Sequence, residues 1–420
     1  MFSRWSSTSK AVQLQVLPAI YPSGANIEGE VAINLRHAHE EEIDKVEIRF
    51  CGYANTWIKL GNNSTHDYKE LVRETTTLWT RGSGVYSQPG SDILSVPFSF
   101  TLPDKLPPSF HAEAMGYSVS VRYSITAVGV RKGRMNVNKQ HCVPLTVVPK
   151  DDIGVSLKRE SATHGWKTFS NEQRIRKGFW GDYSKVLVEL KIPSIPVFPL
   201  SSTIPYTIIV TTTSPPLSPA QAAALPPGKL VFPPIPTSPD ALDFTLGRRL
   251  YARATGTTTQ SYTDIAAFLG PRAKAAAAAT GKPRPPVDSA IDDGKWVATD
   301  TPDAEKGTRK DEDRADRQMG TWVQRAVFES TFTLDCPPSF VLSDFIKCAY
   351  DLVVNVPFPG VGNTLRLEAS VVVTSGVETT VPHDVSAPGY VVAEALTLDL
   401  PPAYWDTSSS GWDTSKKVSE

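Results

Sequence analysis

Four residues near the end of the sequence, Pro401-Pro402-Ala403-Tyr404, form a PPxY pattern whose chemistry is recognition rather than catalysis. Two adjacent prolines pre-set an extended polyproline II strand, which loses little entropy on docking between aromatic rings, and the tyrosine fills a neighbouring groove. This is the ligand type bound by WW domains of HECT-type ubiquitin ligases, with Pro401, Pro402 and Tyr404 as the contacting residues. The same residues also have a purely structural reading. The proline pair ends a last strand, and Tyr404 and Trp405 fold back onto the core.

Other residue groups could carry chemistry of a different kind. Lys274, Lys282, Lys295, Lys306 and Lys310 lie in a polar stretch where long amines could reach a ligase and accept ubiquitin, or simply keep the chain soluble. Ser214, Ser218, Ser238 and Thr301 each precede a proline, so a proline-directed kinase could place charge there without disturbing a core. His37-Ala38-His39-Glu40-Glu41-Glu42 has metal-ligand residue types, but its position between two strand-like runs reads as a solvated loop, and no metal is assigned to it. There is no GxSxG, no phosphate-cradling glycine loop and no nucleophile in a recognised motif with a histidine partner. The sequence therefore points to no enzyme and to no cofactor.

These segments must be carried by a scaffold, and composition constrains what it is. The 420 residues exceed one ordinary core and fit two domains with length to spare. Lysine and arginine total 43 against 44 aspartate and glutamate, so no global field draws nucleic acid or an anionic membrane, and protein partners are expected. Thirty-five prolines against four methionines, with abundant valine, threonine and serine, describe strands joined by proline-rich turns. Cys51, Cys142, Cys336 and Cys348 are too scattered for a zinc or redox motif and read as reduced, buried thiols. The opening MFSRWSSTSK has no apolar signal region, and no run of eighteen apolar residues occurs, so a cytoplasmic protein is expected.

Alternation locates the elements. Apolar residues recur at every second position in Val12, Leu14 and Val16, in Val31, Ile33 and Leu35, in Val46, Ile48 and Phe50, and in Val119, Val121, Tyr123, Ile125 and Ala127. Residues 1–149 form the first sandwich on this reading, and 150–178 a linker or edge loop. Strand-like runs at 186–192, 204–212, 242–253, 327–334, 350–356, 365–374 and 390–400 build a second sandwich over 179–400. It is interrupted by a Pro-rich loop, 214–240, expected to be extended and solvated, and by an insert, 255–319, expected to be disordered. Within that insert the alanine run 275–279 is too short to hold a helix alone. Residues 401–420 are a tail that carries the PPxY pattern.

The stretch VPFSFTLPDKLPPSF, residues 96–110, gives the reading a more specific form. Phe98 and Phe100 share one face and bury together, while Pro103, Pro107 and Pro108 end the ladder. It resembles the part of the arrestin N-terminal domain where an FxF strand enters a proline-bounded turn. Three further segments match in order: Leu17 to Val31, the strand VEIRFCG at 46–52, and Val121-Arg122-Tyr123 leading to Lys139. The resemblance covers about 12–148 by motif, and the second half only as a strand series.

It implies an all-β protein of two antiparallel immunoglobulin-like sandwiches. The short polar stretch after Tyr404 leaves no room for a long regulatory tail, which favours the α-arrestin branch, common in fungi. That branch implies a non-enzymatic trafficking adaptor: it binds cytoplasmic segments of a membrane transporter or receptor and recruits a HECT-type ubiquitin ligase for ubiquitination and endocytosis. Its membrane association, at the plasma membrane or endosomes, comes through cargo only. The alternative is a sorting or signalling scaffold that binds retromer-like or receptor components and recruits no ligase.

Overall fold

A computed structural model describes residues 10–132, 138–159, 164–178, 182–225, 231–281, 283–299 and 319–382. Its first half runs β1 (Val12–Val16), β2 (Ala19–Pro22), β3 (Asn26–Asn34), α1 (Leu35–Glu40), β4 (Ile43–Leu60), β5 (Asn63–Thr80), β6 (Ile93–Thr101), β7 (Phe110–Ala114), β8 (Tyr117–Arg131), β9 (Lys139–Val148) and α2 (Asp152–Arg159). The second half runs β10 (Trp166–Arg176), β11 (Tyr183–Pro193), β12 (Phe198–Pro199), β13 (Ile204–Thr213), α3 (Pro219–Ala223), β14 (Asp243–Ala254), β15 (Thr257–Leu269), α4 (Pro271–Thr280) and β16 (Asp288–Ala298). It closes with β17 (Gly320–Phe332), β18 (Phe340–Leu342), β19 (Ile346–Pro357), β20 (Thr364–Val371), β21 (Val373–Thr374) and β22 (Val381–Pro382).

The fold is all-β, in two sandwiches. In the first, a three-stranded sheet β1-β3-β6 covers a seven-stranded sheet ordered β22-β2-β9-β8-β4-β5, with β7 beside β8. In the second, β10-β11-β13-β17-β16 faces β15-β14-β19-β18, with β20 beside β19, and β12 pairs with β21. Val119, Val121, Tyr123, Ile125 and Ala127 of β8 are all buried, and the residues between them are buried or half-buried as well, as a central strand of a covered sheet requires.

Phe98 and Phe100 are buried together, with ring centroids 5.9 Å apart, and Phe50 stacks beyond them at 6.0 Å. Their closeness to β3 depends on Gly29. A Cβ there would lie 2.5 Å from the Gln15 carbonyl oxygen and 2.6 Å from the Phe98 ring, so only glycine lets the strands and the ring meet.

The 18-residue edge strand β5 is twice irregular against β4, between Val46 and Glu47 and between Gly52 and Tyr53. Each bulge places two consecutive apolar residues against the core, Leu71 with Val72 and Leu78 with Trp79. Bulges and charges together also make this long edge a poor template for another strand.

An imidazole makes a hydrogen bond from one sheet of the first sandwich to the other. The Leu14 N–H on β1 donates to His141 Nδ1 on β9 across 3.1 Å, and burial holds the His141 pKa below its usual value. The neutral ring is therefore favoured by folding. Its contribution is complete above the unfolded pKa, about 6.5, and is lost as pH falls through that value towards the folded one. Unfolding measured at pH 7 and pH 5 should show a larger acid loss in the native protein than in His141→Gln, whose amide oxygen keeps accepting. Equal losses in both proteins contradict this role.

Five expectations differ from the described structure. Within 150–178, expected to be a linker or edge loop, the described residues include α2 and β10, an edge strand whose two faces are mostly wet, which erases the alternation that marks a strand. Of the insert 255–319, β15, α4 and β16 are regular elements, and 300–318 lies outside the described residues. Backbone ladders to β14 and β17 and the cross-strand pair Trp296 and Trp322 compensate there for sparse apolar residues. The alanine run forms part of a ten-residue helix, with Pro271 at its start, Gly281 left-handed at its end and Ala273 buried.

The Pro-rich loop is packed over 231–236, while 237, 238 and 240 are exposed. Ile235 is buried, Phe232 lies on the core, and the buried Gln324 amide bonds the Val231 and Pro233 carbonyls and the Val231 N–H. A lone buried glutamine leaves no periodic signature in sequence. Likewise His37 and His39 belong to the short helix α1, capped by Asn34, instead of a loop.

Candidate functional site

The seam between the sandwiches, where the C-terminal segment leaves the second and returns to the first, is the region the fold constructs most elaborately. On one side Thr56, fully buried on β4, donates to the Arg253 carbonyl on β14 at 2.7 Å. Beside it the Thr255 hydroxyl donates to the His66 carbonyl at 2.9 Å, and the Ser261 and Tyr117 hydroxyls meet at 2.9 Å. Phe110 on β7 packs edge-on against Phe340 on β18, centroids 5.2 Å apart, with the Arg248 guanidinium 5.6 Å above the Phe110 ring.

On the other side the linker and the exit segment are bound residue to residue. Asp151 caps α2 by accepting from the Gly154 N–H at 2.8 Å, and its second oxygen accepts from the Gly376 N–H at 2.8 Å. Its own N–H donates to the Val377 carbonyl at 3.0 Å. Ser375 Oγ donates to the Pro149 carbonyl at 2.6 Å, and Lys158 Nζ to the Gly376 carbonyl at 3.0 Å. Burial depresses the Lys158 pKa against the opposing pull of Asp151. Only glycine fits at 154, because a Cβ would occupy the Asp151 carboxylate's place and press on Thr374 Oγ1. Past this clasp β22 joins the first sandwich, Val381 against Ile20 and Pro382 against Ala19.

Cys336 and Cys348 are buried thiols pushed up to about 12 and about 11 by burial, which makes them inert packing. His37 Nδ1 lies 2.8 Å from Glu40, and His39 Nδ1 lies 2.9 Å from Arg81, so both rings are engaged in local pairs. Among the described residues no group of three or more metal-ligand side chains converges, and no helix is long and apolar enough to cross a membrane.

The sequence-derived sites are dispersed. Pro401, Pro402 and Tyr404 lie outside the described residues, as do Lys282, Lys306, Lys310 and Thr301. Lys274 is on α4 and Lys295 on β16, both exposed. Ser214 is buried: its hydroxyl accepts from the Trp322 N–H and donates to the Pro215 carbonyl, so a kinase could reach it only by opening the strand end. Ser218 caps α3 in a reciprocal box with Gln221. Ser238 is exposed. The seam itself escaped sequence reading. Thr56, Asp151 and Gly376 are single residues of common type, joined only by long-range folding.

Residues 11–154 match the family model described as the arrestin (or S-antigen) N-terminal domain. Over that stretch the chain is arrestin-like, and the match spans the first sandwich from just before β1 into α2. No curated protein sequence matches the chain.

Proposed function

We propose that the chain is a trafficking adaptor of the α-arrestin kind. Sandwich surfaces and loops bind cytoplasmic segments of a membrane transporter or receptor, while Pro401, Pro402 and Tyr404 recruit the WW domain of a HECT-type ubiquitin ligase. The cargo is then ubiquitinated and internalised. Holding both partners raises their effective concentration without chemistry by the chain itself. The adaptor works in the cytoplasm and reaches the plasma membrane or endosomes through its cargo, and Lys274, Lys282, Lys295, Lys306 and Lys310 are candidates to receive ubiquitin in turn.

The observation that carries this reading is the arrestin N-terminal match over 11–154, continued by a second sandwich clasped to the first. Arrestin-family proteins are generally non-enzymatic adaptors, which supports the reading. The PPxY pattern follows β22 in sequence with no intervening charge run to oppose docking. Capture of the full chain on isolated WW domains tests the ligase half. Tyr404→Ala should weaken capture by about 2 kcal/mol, roughly thirtyfold, as loss of a central aromatic anchor does. Equal capture of both proteins would leave a scaffold that recruits no ligase.

A further inference from the structure

We infer that Ser238 is a phosphoacceptor whose phosphate is read within the same chain by Lys274 and Arg284. Of the serine-proline and threonine-proline pairs among the described residues, this one alone combines an exposed serine with no structural duty assigned to its hydroxyl. Ser214 is buried in two hydrogen bonds and Ser218 caps a helix. Ser238 is in extended backbone (φ −144°, ψ 157°) and makes no capping bond to the 3-10 turn Pro239–Ala241 that follows. An extended serine followed by proline is the shape that a proline-directed kinase site accepts.

The local charges point to a reader. Asp240, two residues on, faces Lys274 Nζ at 3.5 Å and Arg284 Nη1 at 3.6 Å. Two cations from separate elements, α4 and the segment entering β16, thus converge on one carboxylate in a loop already anchored by Gln324. A phosphate at 238, two residues from Asp240, adds close to two further negative charges and three acceptor oxygens to the same loop. The arginine fork suits a phosphate better than a single carboxylate oxygen.

In the transfer itself, the Ser238 hydroxyl oxygen forms a bond to the γ-phosphorus of a nucleoside triphosphate. The bond to the bridging oxygen breaks, the diphosphate leaves, and the hydroxyl proton passes to the kinase's base. The product ties α4 and the segment entering β16 to the Pro-rich loop, stiffening α4, which buries only Ala273.

The full chain treated with a proline-directed serine kinase and magnesium ATP, mapped by mass spectrometry, should carry phosphate on Ser238. Hydrogen exchange across 271–287 should then slow severalfold, and the slowing should vanish in the Lys274→Gln/Arg284→Gln double variant phosphorylated to the same extent. An unmodified Ser238, unchanged exchange, or slowing that persists in the double variant would overturn the inference.

Discussion

Phe244→Ala should lower the unfolding free energy of the second sandwich by about 3–5 kcal/mol, the cost of a cavity left by a fully buried ring. Phe244 on β14 is wholly inaccessible, and three other rings surround it: Tyr206 at 4.7 Å, Phe268 at 5.3 Å and Phe332, edge-on, at 5.7 Å. They come from β13, β15 and β17, so one side chain joins both sheets. Burial also pushes the Tyr206 hydroxyl up to about 12, in keeping with a dry cluster. Denaturant titration followed by aromatic fluorescence measures the loss. A change below about 1 kcal/mol would mean that this cluster does not hold the sheets together.

The second large effect belongs to the seam. Asp151→Ala removes the carboxylate that caps α2 and accepts from Gly376, two charge-assisted bonds together worth about 2–3 kcal/mol in a partly buried place. The loss should be local as well as global. Hydrogen exchange should quicken in both 152–159 and 374–378, on opposite sides of the clasp, while the Phe244 cluster stays protected. If only the α2 segment quickens, Asp151 is a helix cap and no more. Quickening of both shows that one residue joins the linker to the exit of the C-terminal segment.

Much of this architecture is legible where one face of a strand is dry. Val119 to Ala127 and the pair Phe98 and Phe100 announce their burial by period alone, and β11, β13, β14, β19 and β20 follow from the same rule. Legibility ends where the rule's premise fails. The bulges at Leu71 and Leu78 shift the period of β5, and β10, β16 and the first half of β15 are mostly wet on both faces, so backbone ladders rather than apolar stripes hold them. The Pro-rich loop looks solvated in sequence because the residue that packs it, Gln324, lies about a hundred positions away. The seam depends on the same kind of distance. The PPxY pattern, by contrast, is local chemistry that needs no fold to be read, which is why it was visible at once and why the fold of 10–382 neither requires nor forbids it.

Cargo binding and ligase recruitment are separable in the proposal, and proximity labelling in cells addresses both. With a labelling enzyme fused to the chain, the wild type should tag a HECT-type ligase and at least one membrane transporter or receptor. Tyr404→Ala should keep the membrane protein and lose the ligase. Unchanged ligase labelling by Tyr404→Ala, or the absence of any membrane protein from either set, would contradict the adaptor account.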